Sequence, residues 1–124
     1  MKNKLYCFDK LEELFSLYEK VRQAVVLSEN FNKERKMHIA PINQMRSALD
    51  HIFKAINSVD KIETCDYELK EAKEHLDRAG YDAFELLAAN ISISIVEKLN
   101  KYNTKTITEV FPYYFTDIKP KLTD

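Results

Sequence analysis

Only one of the 124 residues is glycine, Gly80, and that scarcity is the tightest constraint on what this chain can fold into. Sandwiches and barrels consume glycine at turns and bulges, so a chain with a single glycine and three prolines is built from few, long elements. Its apolar residues recur at three- and four-residue steps, which is the spacing of an amphipathic helix. The expected fold is all-α: an up-down helical bundle of three long helices plus a short C-terminal helix. The length fits one domain, residues 1–124, large enough to bury a core without a staple. A new element starts near Ile118 and the chain stops at Asp124, so the domain is expected to be cut from a longer parent chain.

Hydrophobic residues make up 45% of the chain and charged residues 31%, a globular rather than a disordered balance. The net charge of −1 gives no global pull towards nucleic acid or an anionic membrane. No window reaches the ~18 apolar residues of a membrane span. Met1 to Lys10 lacks an apolar signal core, so the expected location is the cytoplasm. Cys7 and Cys65 have no metal-ligand spacing and read as free thiols in a reducing compartment.

Asp9 with Glu12 forms a capping box, so helix 1 is expected to open there and to end between Ser28 and Lys36. Phe8, Leu11, Leu14, Phe15, Tyr18, Val21 and Val25 form its apolar stripe. The connection Asn30 to Ala40 carries Lys33, Arg35, Lys36 and His38 and reads as a solvated loop. Pro41 suits the first position of helix 2, expected to run to about Val59 with Ile42, Met45, Leu49, Ile52, Phe53 and Ile56 inward. Helix 3 is expected from about Asp66 to Tyr102. It has two stripes, Leu69–Ala72–Leu76–Ala79–Ala83–Leu87 and Phe84–Ile91–Ile95–Leu99–Tyr102. Rotated stripes imply that its two ends meet different neighbours, or that it kinks. At about 55 Å it is long for a compact bundle, so it bends or projects towards a partner. The Ile91-Ser-Ile-Ser-Ile95 alternation is too short, and too closely flanked by helical spacing, to be a strand. Thr106 with Glu109 is a second capping box, and Pro112 ends one short helix or starts another.

One glycine excludes the phosphate-binding loop and the dinucleotide fingerprint. No serine sits on a nucleophile elbow, and neither cysteine has a neighbouring histidine. No cofactor or metal is expected, because the His-x3-His and Glu-x2-His spacings of helical metal sites are missing. The pattern that does suggest chemistry is Arg46-Ser-Ala-Leu-Asp-His51. An arginine and a histidine separated by four residues, in an all-α chain, resembles the motif of HEPN domains. That resemblance implies a metal-independent endoribonuclease of a defence or toxin–antitoxin system, or a degenerate relative. It also implies a dimer whose two motifs share one cleft, with Arg46 and His51 as catalytic residues. Histidine there moves a proton at the ribose 2′-OH while arginine holds the phosphate. On a straight helix the two side chains lie ~140° apart and do not converge. Arg46 is also one step of four from Asp50, the spacing of a surface ion pair.

Glu71, His75, Arg78, Asp82 and Glu85 share a face of helix 3 opposite the first stripe. They read as a solvated face, or as a cluster that meets His51 and Ser47 across a dimer. Phe111, Tyr113, Tyr114 and Phe115 either close the end of the bundle or form an aromatic docking surface. The function expected from these features is a non-catalytic interaction or assembly module of a bacterial-type cytoplasmic protein. It self-associates as a homo-oligomer or meets a protein partner, away from membranes. RNA enters as a partner only with the nuclease alternative.

Overall fold

The computed structural model describes residues 2–34 and 36–123; Arg35 of the basic connection and the terminal Met1 and Asp124 lie outside them. The fold is all-α, with no strand among the described residues. Helix α1 spans Lys2–Asn30, α2 Ile39–Ile56, α3 Ile62–Leu99 and α4 Thr104–Val110. A π-helical turn, Tyr114–Ile118, leads into α5, Lys119–Thr123. The Ile91–Ile95 segment is helical, and α3 runs unbroken for 38 residues.

The first stripe of α3 is the floor of the core. Cys65, Leu69, Ala72, Leu76, Ala79, Ala83 and Leu87 are all buried, and three of the alanines are wholly inaccessible. Small side chains there let two helices approach closely. Val21 of α1 passes over Gly80, where an added Cβ would meet its Cγ2 at 3.5 Å. Helix α1 lies on one flank of the stripe and runs parallel to α3, with Cys7 against Cys65 and Val21 against Gly80. Helix α2 lies on the other flank and runs antiparallel, joined by His51–Glu68 and His75–Gln44 contacts.

The inward faces of α1 and α2 advance in alternating steps of four and three, and that of α3 does so as far as Ala83. In α1 they are Cys7, Leu11, Leu14, Tyr18, Val21, Val25 and Ser28; along α2 they are Pro41, Met45, Ala48, Ile52, Ala55 and then Val59. A strict seven-residue period makes a narrow coiled-coil seam, not the broad stripe of a helix lying on a large core. This corrects the expected inward face of two helices. Phe8 and Phe15 are 56% and 62% exposed, and Leu49 and Phe53 are 51% and 57% exposed. Each stands one position outside the seam, where neither α3 nor its neighbour reaches it.

Other expected features shift for tertiary reasons. Helix α1 begins at Lys2, so the Asp9–Glu12 pair lies inside it. The added turn brings Cys7 into the core and lets the Tyr6 hydroxyl donate to Asp66 Oδ1 at 2.7 Å. That hydrogen bond, with Lys70 beside it, holds the Asp66 carboxyl below the usual carboxylate range. Cys7 and Cys65 are joined as a disulfide, with no free cysteine among the described residues, contrary to the free-thiol reading. They are 58 residues apart in the chain, and only the parallel pairing of α1 with α3 brings them to one level. Pro41 is the third residue of α2, where its missing N–H is still one of the four that a helix start leaves unpaired. Asn103, not Thr106, caps α4, its side-chain oxygen accepting from the Thr106 amide at 2.7 Å.

The far half of α3 has different neighbours, as its rotated second stripe implies. Ile95 and Leu99 meet Phe111, Tyr114 and Ile118, while Lys121 and Leu122 face Ser92, Ile93 and Val96. The C-terminal segment thus folds back along the part of α3 that α1 and α2 leave uncovered. Phe84 and Tyr102, which the second stripe includes, stay 62% and 61% exposed. Tyr102 lies beyond the end of α3.

Leu76→Ala is expected to lower unfolding free energy by about 2–5 kcal/mol, since Leu76 is fully enclosed. Leu49→Ala is expected to cost under about 1 kcal/mol in the monomer, because half its surface is already in water. Urea denaturation of the two variants checks this order, and equal losses would contradict the seam assignment. Gly80→Ala is expected to stabilise the protein by up to about 1 kcal/mol, because the new methyl finds ordinary contact distance and helix propensity improves. Thermal unfolding reads that sign directly.

Candidate functional site

Four positions beside the α2–α3 seam bring polar side chains together in two pairs. On α2, Gln44 and His51 stand directly before the seam residues Met45 and Ile52, seven apart. On α3, Glu68 and His75 stand directly before Leu69 and Leu76, again seven apart. In an antiparallel pair these flanking positions face one another, so polar groups at them meet across the seam at its solvent edge.

His51 Nδ1 lies 2.6 Å from Glu68 Oε2, with both side chains mostly shielded, at 19% and 14% exposure. His75 Nδ1 lies 2.7 Å from Gln44 Oε1. The imidazole rings stack on one another with centroids 5.2 Å apart and planes 17° apart. Glu71, four residues before His75 and half-buried, joins them. One ligand atom from each of His51, Glu71 and His75 falls within 4.8 Å of the others. A carboxylate and an amide oxygen are acceptors only, so Nδ1 of each histidine is the donor, and in the neutral ring the lone pair is on Nε2. Two oriented imidazoles and a carboxylate can accept a proton or bind a cation.

The structure brings together some of the residues singled out from sequence and separates others. His51 meets His75 and Glu71 within one chain, not across a dimer. Arg46 is exposed and outside this cluster. Its expected partner Asp50 pairs instead with Lys54 at 3.0 Å. Arg78 points to Glu74 at 3.9 Å. Of the aromatic run, Tyr114 is 3% exposed and packs edge-on against Phe115 at 5.0 Å. It belongs to the interior, while Phe111 and Tyr113 remain 50% and 68% exposed.

Sequence reading missed Gln44 and Glu68. The signal was there in the seven-residue spacing of 44–51 and 68–75, but reading it required the seam to be narrow. It also missed the Ser28–His38–Asn32 cluster at the first connection. Fully buried Ser28 donates to the Val25 carbonyl at 2.8 Å and meets His38 Nδ1 at 3.1 Å. That serine is sealed from solvent and ties the end of α1 to the start of α2.

The fold and site define an all-α protein with a histidine–carboxylate cluster between two antiparallel helices. No family model, no curated protein and no solved structure matches the chain.

Long-range 1H–15N NMR at alkaline pH is expected to show both His51 and His75 as the Nδ1–H tautomer. Glu68→Ala should release that preference at His51 alone. An Nε2–H signature at both rings would contradict the hydrogen-bond assignment.

Proposed function

We propose that this chain is a non-catalytic assembly module of a bacterial protein, built as an up-down bundle of three long helices with a short C-terminal cap. It self-associates through the open face between α1 and α2. The observation that carries this reading is the group of large apolar side chains left outside the seam. Phe8, Phe15 and Leu49 line one groove with Leu11, Tyr18 and Ile52, and Phe53 stands one helical turn beyond Leu49. Contiguous apolar surface of this kind marks a contact site. The occupant is a second copy, because a two-fold contact covers the same groove on both subunits at once. A net charge of −1 sets little repulsion against it. Among the described residues no helix is long and apolar enough to cross a membrane.

A second reading, the HEPN-like metal-independent endoribonuclease or its degenerate relative, draws support from one contact. Glu68 orients the His51 ring as a carboxylate orients a general base. Its weakness is Arg46, which in one chain stands apart from His51, so this reading needs a second copy to supply the phosphate-holding group.

Light scattering at micromolar concentration is expected to return about twice the 14.6 kDa chain mass. Phe15→Glu and Leu49→Glu should each return the monomer with helicity unchanged. A concentration-independent mass of one chain would overturn the assembly reading. Cleavage of single-stranded RNA in EDTA, lost in both Arg46→Ala and His51→Ala, would replace it with the nuclease.

A further inference from the structure

We infer that His51, Glu71 and His75 form a binding site for a divalent transition metal of the zinc class, with Glu68 and Gln44 as the groups that orient the two imidazoles. This inference does not depend on the assembly reading.

Three observations carry it. The ligand set comes first: two imidazole nitrogens and one carboxylate oxygen, from α2 and α3, lie within 4.8 Å of one another. Two histidines and a glutamate are a donor set that zinc takes, with a fourth position left for water. The second observation is the state of the rings. Glu68 and Gln44 occupy Nδ1 of His51 and His75 at 2.6 and 2.7 Å. With Nδ1 so occupied, Nε2 is the nitrogen each ring has left to offer a metal. Metal-bound histidines typically donate their other N–H to a carboxylate or carbonyl in this way. The third is Glu71. Paired polar residues beside an antiparallel seam are explained by register alone, and that account covers His51–Glu68 and His75–Gln44. Glu71, also one step before a seam residue, Ala72, is the member of that edge with no partner across it. This half-buried carboxylate has no hydrogen bond or ion pair with another described residue, yet it is placed next to both imidazoles.

The in-helix spacing of Glu71 and His75 is four, which puts both on one face of α3, and α2 supplies the third ligand. Sequence spacing rules for metal sites look within one helix and so miss it. In this structure the rings are close to parallel. A shared ion bonded at about 2.1 Å draws its donor atoms to within about 3.5 Å of each other, so binding tilts the rings out of the stack. Rotation about the terminal side-chain torsion of histidine is soft enough to allow this.

The test uses the whole chain, stripped with EDTA and kept unreduced, and titrated with Co2+ and with Zn2+. One equivalent of Co2+ is expected to give the visible absorption of a low-symmetry, four- or five-coordinate site, and one equivalent of Zn2+ to displace it and raise Tm. Glu71→Gln and His75→Ala should abolish the Co2+ band while circular dichroism shows the helices intact. Glu68→Gln should keep the one-to-one stoichiometry and weaken binding by about 10- to 100-fold, as expected for a group that only orients a ligand. His38→Ala, outside the cluster, should bind as the wild type does. Two results overturn the inference: no Co2+ band and no Zn2+-dependent shift in Tm, or metal binding that survives both Glu71→Gln and His75→Ala. If His75→Ala unfolds the chain, Glu71→Gln alone decides, since it preserves size and lies outside the buried core.

Discussion

The packing of two helices onto the alanine-rich stripe of α3 is the constraint on which the rest of this structure depends. Ala72, Ala79 and Ala83 contribute almost no bulk, and Gly80 contributes none, so α1 and α2 settle close to the α3 backbone. Ala48 and Ala55 do the same from the α2 side. Dispersion is short-ranged, so close approach multiplies weak contacts along nearly the full length of each helix. Bulky residues are then needed only at intervals, and Leu69, Leu76, Leu14 and Val21 fill the spaces that the alanines leave.

A seam this narrow determines where polar groups can sit. Side chains one step before each seam residue are shielded on one side and wet on the other. Glutamine, histidine and glutamate at those places find partners across the α2–α3 boundary without entering the apolar core. His51 and His75 are stacked because their positions are adjacent levels of the same edge, not because the rings attract strongly. The hydrogen bonds from Glu68 and Gln44 then turn a packing consequence into chemistry, by choosing which nitrogen of each ring is free.

The same narrowness leaves apolar surface behind. A stripe that is inward on a broad core loses its outer members when each helix meets one neighbour along a line. Phe8, Phe15, Leu49 and Phe53 are those outer members on the α1–α2 side. On α3 the equivalent residues are divided. The C-terminal segment partly covers Ile95 and Leu99, and Phe84 stays in water. The far end of α3 is thus partly covered by the chain's own C-terminal segment, while none of the described residues covers the α1–α2 groove.

The helical class, the three long elements and the full first stripe of α3 were legible in the residues themselves. Period and glycine scarcity are local properties, and local backbone sterics act on them directly. The helix ends were less legible, because Cys7 and Tyr6 gain contacts with α3 that outweigh a capping signal at Asp9. Period alone also could not separate a seam of 3.5 residues per turn from a stripe of 3.6, and that difference decided whether Leu49 lies inside or outside. The disulfide and the histidine cluster belong entirely to tertiary structure. Cys7 meets Cys65 because α1 runs parallel to α3. His51 meets Glu68, Glu71 and His75 because α2 runs antiparallel to it. Relative direction and register are properties of two helices together, and they are settled by how their side chains interlock rather than by the spacing within either one.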